Sequence, residues 1–222
     1  MIAQTIVDEA KRLLQDIAGD RWSESQLAKL LHFGRLDLLE LRPSLYAART
    51  TLTLVQGFEQ AITGRRFLYP VCNVVSGVEG KPVTTTDRDY LDAIAPGWRL
   101  KTPVSYVQHT IFDEDRPTEF EVYPPVKAGT QIKVSQAVEP TEITNLSQSL
   151  SEGPLAVHLT HYIVFRALSE DVEIPQSNQL SQMHYGLYLQ GIGAAKRATY
   201  VNSPNFRDGG GKPAAEMRNG ES

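Results

Sequence analysis

A chain of 222 residues, 41% of them hydrophobic and 22% charged, is long enough for one well-cored domain or a compact domain carrying an insertion. Its formal net charge of −4 argues against a general nucleic-acid binder, whose footprint is basic, though not against a wall that DNA slides past. The single cysteine, Cys72, excludes an intrachain disulfide and reads as a small buried apolar residue among Val71, Val74 and Val75.

The N-terminal sequence opens into an amphipathic helix rather than the charged-then-apolar pattern of a signal peptide, and no apolar run approaches the roughly 20 residues that span a bilayer. The expectation is a soluble protein, kept in a cytosol-like setting or in a particle assembled there, with no membrane partner. Over residues 5–18, Ile6, Ala10, Leu13, Leu14 and Ile17 recur at helical spacing, and Gly19 is placed to end the helix in a left-handed cap. The second helix has a capping box, Ser23 with Gln26, and Trp22 stands where a hydrophobic staple to Leu27 would form. Leu27, Leu30, Leu31, Leu38 and Leu41 make its apolar stripe and Pro43 stops it, so an antiparallel hairpin of the two helices is expected.

The pattern then changes to strands. Residues 51–54 alternate, Gln56-Gly57 turns, and residues 66–75 form a further apolar strand. Thr85 or Thr86 is placed to cap a short helix over 87–91, ending before Pro96-Gly97. Residues 104–112 lead to the acidic turn Asp113-Glu114-Asp115 and the strand 118–123, with Phe120 and Val122 on one face and Glu119, Glu121 and Tyr123 on the other. Pro124-Pro125 lack backbone donors and are expected to end that strand. Ala128-Gly129 turns the chain, and Ile132, Val134, Gln136 and Val138 alternate on the partner strand. This is an antiparallel sheet or small sandwich within about residues 50–140.

Helix returns after Gly153, with Pro154 suited to its first turn. Leu155, Leu159, Tyr162, Ile163 and Phe165, widened by Val157, Val164 and Leu168, form a helix to Glu170 apolar enough to be buried on two sides. Pro175 breaks the chain, and Ser177 or Asn178 is placed to cap a last helix to about Thr199. The small residues around Gly191 and Gly193 allow close backbone approach, and Lys196 and Arg197 complement the helix dipole. From Ser203 the sequence holds Gly209-Gly210-Gly211, two prolines and few large apolar residues, the composition of an extended tail that is free in isolation. The fold class is thus α+β, with a helical bundle from residues 1–49 and 141–202, an inserted antiparallel β domain from 50–140, and an extended C-terminal tail from 203–222.

Candidate chemistry is sparse. His158 and His161 share a helix face, and His184 can meet them from the next helix; with Glu170 or Asp171 they would make a divalent-metal set. The Glu-x-x-His pairing of dimetal bundles is missing, so hydrogen-bonded, partly buried histidines are the favoured reading and no metal is assigned. Asp113-Glu114-Asp115 with Glu119 lacks the glycine that a calcium loop needs, and reads as a solvated hairpin turn. Gly191-Ile192-Gly193 lies late in a helix, not between a strand and a helix start, so it is no nucleotide loop. With no catalytic motif, no catalytic residue and no cofactor is assigned.

The order of signals is nonetheless distinctive: Trp22-Ser23, Leu41-Arg42-Pro43, Tyr69-Pro70, Pro96-Gly97-Trp98, Asp113 with Pro117 and Phe120 to Pro125, then Tyr162 through Asp171 and His184-Tyr185. Over residues 22–199 this resembles the head-to-tail adaptor proteins of tailed phages, the group that includes the upper tail tubular protein of short-tailed phages. The resemblance implies a non-enzymatic virion protein at the head-tail junction, assembled in the host cytoplasm. It implies a helical bundle with a β insertion that forms a homo-oligomeric ring, commonly a dodecamer. That ring would sit between the portal ring and the tail nozzle or tail tube, with the genome DNA passing through its lumen without specific binding. The acidic balance, the doubly apolar helix and the tail fit such a ring, with Phe206, Arg207 and Met217 as the tail's anchors on the portal. Two alternatives stand beside it: a metal-dependent helical-bundle enzyme using His158, His161 and His184, and a tail-completion or stopper protein one ring further from the portal.

Overall fold

The computed structural model describes residues 2–152, 155–171 and 177–201, with the side chains of the last helix as far as Ala195. It is α+β, with two compact units: residues 1–35 with 142–222, and residues 36–141. The expected roles of Gly153, Pro154, Pro175, Lys196 and Arg197, and of the tail with Phe206, Arg207 and Met217, fall outside what is described.

The first unit is helical. α1 (Ala3–Leu13) buries Ala3, Ile6, Val7 and Ala10, and its first free backbone donors find partners in a remote stretch: Ala3 N–H donates to Gln148 O at 3.0 Å and Gln4 N–H to Leu146 O at 2.8 Å. The helix ends sooner than its periodicity suggests. Gln15 already has a positive φ of 57°, and Ile17 is 78% exposed rather than part of the buried stripe. What overrides the pattern is Asp16, whose carboxylate accepts from the backbone N–H groups of Asp20 (3.0 Å), Arg21 (3.1 Å) and Trp22 (2.8 Å). Those bonds, that of Trp22 foremost, hold the Asp16 carboxyl below the usual range. Gly19 adopts the expected left-handed φ, 77°, but within this loop and not as the helix cap.

α2 (Glu24–Leu41) starts with the expected capping box: Ser23 N–H donates to Gln26 Oε1 at 2.9 Å, and Gln26 N–H to Ser23 Oγ at 3.3 Å. Leu27, Leu30, Leu31 and Leu38 are buried, whereas Leu41 is exposed at the helix end. The expected α1–α2 hairpin does not form, because α1 lies instead along α4 (Ala156–Glu170), which in turn lies along α5 (Ser177–Val201). α2 meets α4 at Gly34, where a Cβ would stand 2.8 Å from the Tyr162 ring and 3.3 Å from Leu159. Tyr162, Leu159, Ile163, Val164 and Leu168 of α4 are buried, while Val157 is exposed. Ser177 is already inside α5, so it is not the residue that caps it.

The second unit is a sandwich. After a 3-10 turn at Pro43–Tyr46, the strands are β1 (Ala47–Thr53), β2 (Gly57–Ala61), β3 (Arg66–Val75), β4 (Val78–Pro82), β5 (Thr84–Thr85), β6 (His109–Phe112), β7 (Glu119–Val126) and β8 (Gln131–Ala137), with α3 (Arg88–Ile94) between β5 and β6. One sheet has the order β1-β8-β3-β4 and the other β2-β7-β6-β5. Leu52, Phe67, Ile132 and Val134 of the first face Phe120, Val122 and Val126 of the second in one core, with Phe67 stacked on Phe120 at 4.7 Å.

Three expectations need correction here. β5 pairs parallel with β6, so the sheets are not wholly antiparallel. Thr85 pairs with Thr110, and Thr86 N–H donates to Thr110 O at 2.9 Å; both threonines belong to that ladder, and Asp87 stands at the N-cap of α3 instead. Pro124 and Pro125 do not end their strand, because β7 runs through them to Val126 across a cis Tyr123–Pro124 bond. The neighbouring chain asks only for carbonyls at this point: Gln108 N–H donates to Tyr123 O at 2.8 Å and Val104 N–H to Pro125 O at 2.9 Å.

The segment before β6 is secured by a side chain. Asn73 of β3 accepts from Val107 N–H at 2.7 Å and donates back to Val107 O at 2.8 Å, an amide serving as a missing strand partner. Nearby, the Thr110 hydroxyl is fully buried without a hydrogen-bond partner. Thr110→Val keeps the side-chain shape and removes that desolvated hydroxyl, so it should raise stability by about 1 kcal/mol. An increase in the urea midpoint at constant m-value would register it.

Candidate functional site

Three features in the described residues invite a functional reading. The first is the histidine group. α4 and α5 bring His161 and His184 together, with Nδ1 to Nδ1 at 2.9 Å and ring centroids 5.1 Å apart. One ring donates and the other accepts, so at least one is neutral. His158, a turn earlier on α4, lies against Gly191, where a Cβ would fall 2.0 Å from its Nδ1. Close approach at Gly191 is what the small residues of α5 foretold; that an imidazole fills the space could not be read from spacing.

Burial pushes all three histidine pKa values down; a charge on His158 adds to this at His161, and one on His161 at His184. The two acids once considered beside them are engaged elsewhere, Asp171 with Arg21 and Glu170 with Arg166 at 3.0 Å. No grouping of three His, Cys, Asp or Glu suited to a metal ion occurs among the described residues. The donor set therefore does not fit the metal-enzyme alternative: His161 and His184 spend their facing nitrogens on each other.

The second feature is the acidic hairpin between β6 and β7. Asp113 Oδ1 accepts from Asp115 N–H at 3.1 Å, Arg116 pairs with Glu119 at 3.2 Å, and Glu114 and Asp115 are exposed. Asp113 serves the turn, Glu119 an ion pair, and Glu114 and Asp115 face solvent. The hairpin forms one wall of a cleft of about 850 Å³ whose other walls include Glu59, Gln60, Glu121, Arg88 and Arg99. Arg88 reaches across to Glu121 with bonds of 3.0 and 3.3 Å, and Arg99 pairs with Asp92 at 2.8 Å. Sequence reasoning missed this charged cleft, since Arg88 and Arg99 come from α3 and the turn after it, outside the hairpin that holds Arg116 and the acids.

The third is exposed apolar surface. Leu180, Met183, Leu187 and Leu189 are partly exposed on α5, which has no Asp, Glu, Lys or Arg from Ser177 to Ala195. In the other unit Tyr90, Ile94 and Leu100 are exposed around α3, Leu100 at 91%. Helices depleted of charge with half-exposed leucines are a mark of protein-binding surface. That signal was legible in the α5 sequence.

Residues 1–208 match the family described as SU10 adaptor protein. The chain belongs to that family. It is a family of phage head-to-tail adaptors, so this adaptor is a structural component of a virion. No curated protein matches the adaptor. No helix among its described residues is long and apolar enough to cross a membrane. The features above suit such a protein, with half-exposed apolar helix surface in one unit and an exposed apolar patch in the other.

Proposed function

We propose that the chain joins the portal ring to the tail nozzle or tail tube as a homo-oligomeric ring, a dodecamer, whose lumen passes the genome. The family match over residues 1–208 carries this reading. In it the helical bundle, residues 1–49 with 141–202, packs around the ring. The β insertion at 50–140 faces the tail, and the tail at 203–222 docks on the portal through Phe206, Arg207 and Met217. The net charge of −4 supports the lumen assignment, because phosphate contacts would hold DNA that has to slide. The half-exposed, uncharged surface of α5 supports packing between neighbouring subunits. Assembly in the host cytoplasm and residence at the head-tail junction follow from that role.

Mixing the purified chain with its cognate portal ring and imaging the product by negative stain tests the proposal. A closed ring on the portal is expected from the full chain, and none from a variant lacking 203–222 that keeps the wild-type circular dichroism spectrum. Equal ring formation by the truncated chain sinks the role of the tail. Failure of the full chain to join the portal sinks the whole assignment.

A further inference from the structure

We propose that the His161–His184 contact, backed by His158 seated against Gly191, is a proton-operated latch that holds α5 on α4 at neutral pH and releases it in acid. The inference concerns the chain alone and stands apart from the adaptor reading. Two imidazole nitrogens 2.9 Å apart share one hydrogen, so the bond exists only while at least one ring is neutral. When both are protonated, both nitrogens are donors and two cations face each other across the helix pair. His158 is held in a notch that exists because Gly191 has no side chain, with ring atoms within 2.4 Å of where a Cβ would be. A charge arriving there meets packed helix on one side and a second cation on the other.

The surroundings among the described residues offer little to neutralise that charge. α5 carries no acidic or basic residue from Ser177 to Ala195 apart from His184 itself. From α1 the group facing His161 is Glu9, which draws its pKa upward, but burial and His158 outweigh it, and Glu9 is itself held by Arg12 at 2.6 Å. On α4, Arg166 and Glu170 pair with each other at 3.0 Å, and α2 meets α4 at Gly34 through Leu159 and Tyr162. The three histidines therefore share one direction of response. At high pH all are neutral whether the helices are packed or not. Below about 6.5, their ordinary value, the unpacked chain takes up protons that the packed pair resists, and packing weakens down through the depressed native values.

Hydrogen–deuterium exchange of the full chain at pH 7.5 and pH 5.0, corrected for intrinsic exchange, reads the latch directly. Peptides from residues 177–195 are expected to lose protection by about tenfold or more in acid, while β8 is unchanged. In the double variant His161→Gln with His184→Gln, whose amides bond without titrating, the loss should fall below about threefold, leaving the share of His158. An unaltered loss in that variant, or no loss specific to α5 in the wild type, overturns the proposal. Should the double variant fail to fold, histidine ring resonances of the wild type decide. His161 and His184 titrating below 6.5 support the latch, and titration at or above 6.5 overturns it.

Discussion

Glu152→Ala is expected to cost about 3–5 kcal/mol of stability, because it strips the carboxylate from a buried guanidinium. Arg35 Nε donates to Glu152 Oε1 at 2.7 Å, and the two side chains are only 5% and 2% exposed. The pair joins α2 to the segment leading into α4 across 117 residues of chain, closing the helical unit, and the Ser151 hydroxyl also donates to Glu152 at 3.2 Å. A buried charge cannot relax into solvent, so loss of either partner leaves the other a buried charge without its opposite in this pair. Arg35→Met with Glu152→Leu removes both charges and should lie closer to wild type than either single change. Urea denaturation followed by tryptophan emission is a suitable measurement, since Trp22 reports on the helical unit and Trp98 on the β unit. A single variant within 1 kcal/mol of wild type would show that the pair is not what closes the unit.

Trp98→Ala should be similarly severe in the β unit, at about 3–5 kcal/mol. Trp98 is fully buried and packs edge-on against Phe58 (5.5 Å) and Tyr123 (5.9 Å), in a small core shared with Leu91 and Ile111. Its indole N–H also donates to Asp92 at 2.8 Å, and the same carboxylate holds Arg99, whose side chain lies over the indole face at 4.5 Å. Arg99 and then Trp98 keep the Asp92 carboxyl below its usual range. One ring thus anchors α3 and the turn after it to the second sheet, and with them the arginine wall of the cleft. The expected signature is a lower midpoint with α3 amides losing protection first, while β1, β8 and β3 hold. Trp98→Phe retains the packing without the hydrogen bond, and should recover most of the loss. Uniform loosening of both sheets would contradict the local role given to Trp98.

How much of this was legible follows the range of the forces. Ser23 with Gln26 satisfies each other's backbone within one turn, so the start of α2 was readable from two residues. Phe120 and Val122 alternate with acids, and a period of two needs no knowledge of the partner strand to place them inward. The α1–α2 hairpin failed because a stripe names a buried face and not its occupant; α1 found α4. Asp16 shortened α1 through bonds that propensity does not count, and Thr85 spent itself on a ladder to a strand not yet synthesised when it is made. The histidines were grouped correctly, but whether such a group takes a metal or bonds within itself depends on ring orientation, which spacing does not contain. The solvated acidic turn is legible in its own residues, whereas Arg88 and Arg99, which complete the cleft beside it, lie beyond any local pattern.

The two prolines of β7 carry a consequence for strand register. Here β7 is an interior strand whose carbonyls at Tyr123 and Pro125 accept from Gln108 and Val104, while its nitrogens at 124 and 125 carry no hydrogen to donate. A slip of one residue along β6 would bring a proline to a position where the ladder calls for an N–H, and would also turn Phe120 and Val122 out of the core. Misaligned pairing, whether within a chain or between crowded copies, is therefore penalised twice at the same strand. That makes β7 a poor template for strand exchange.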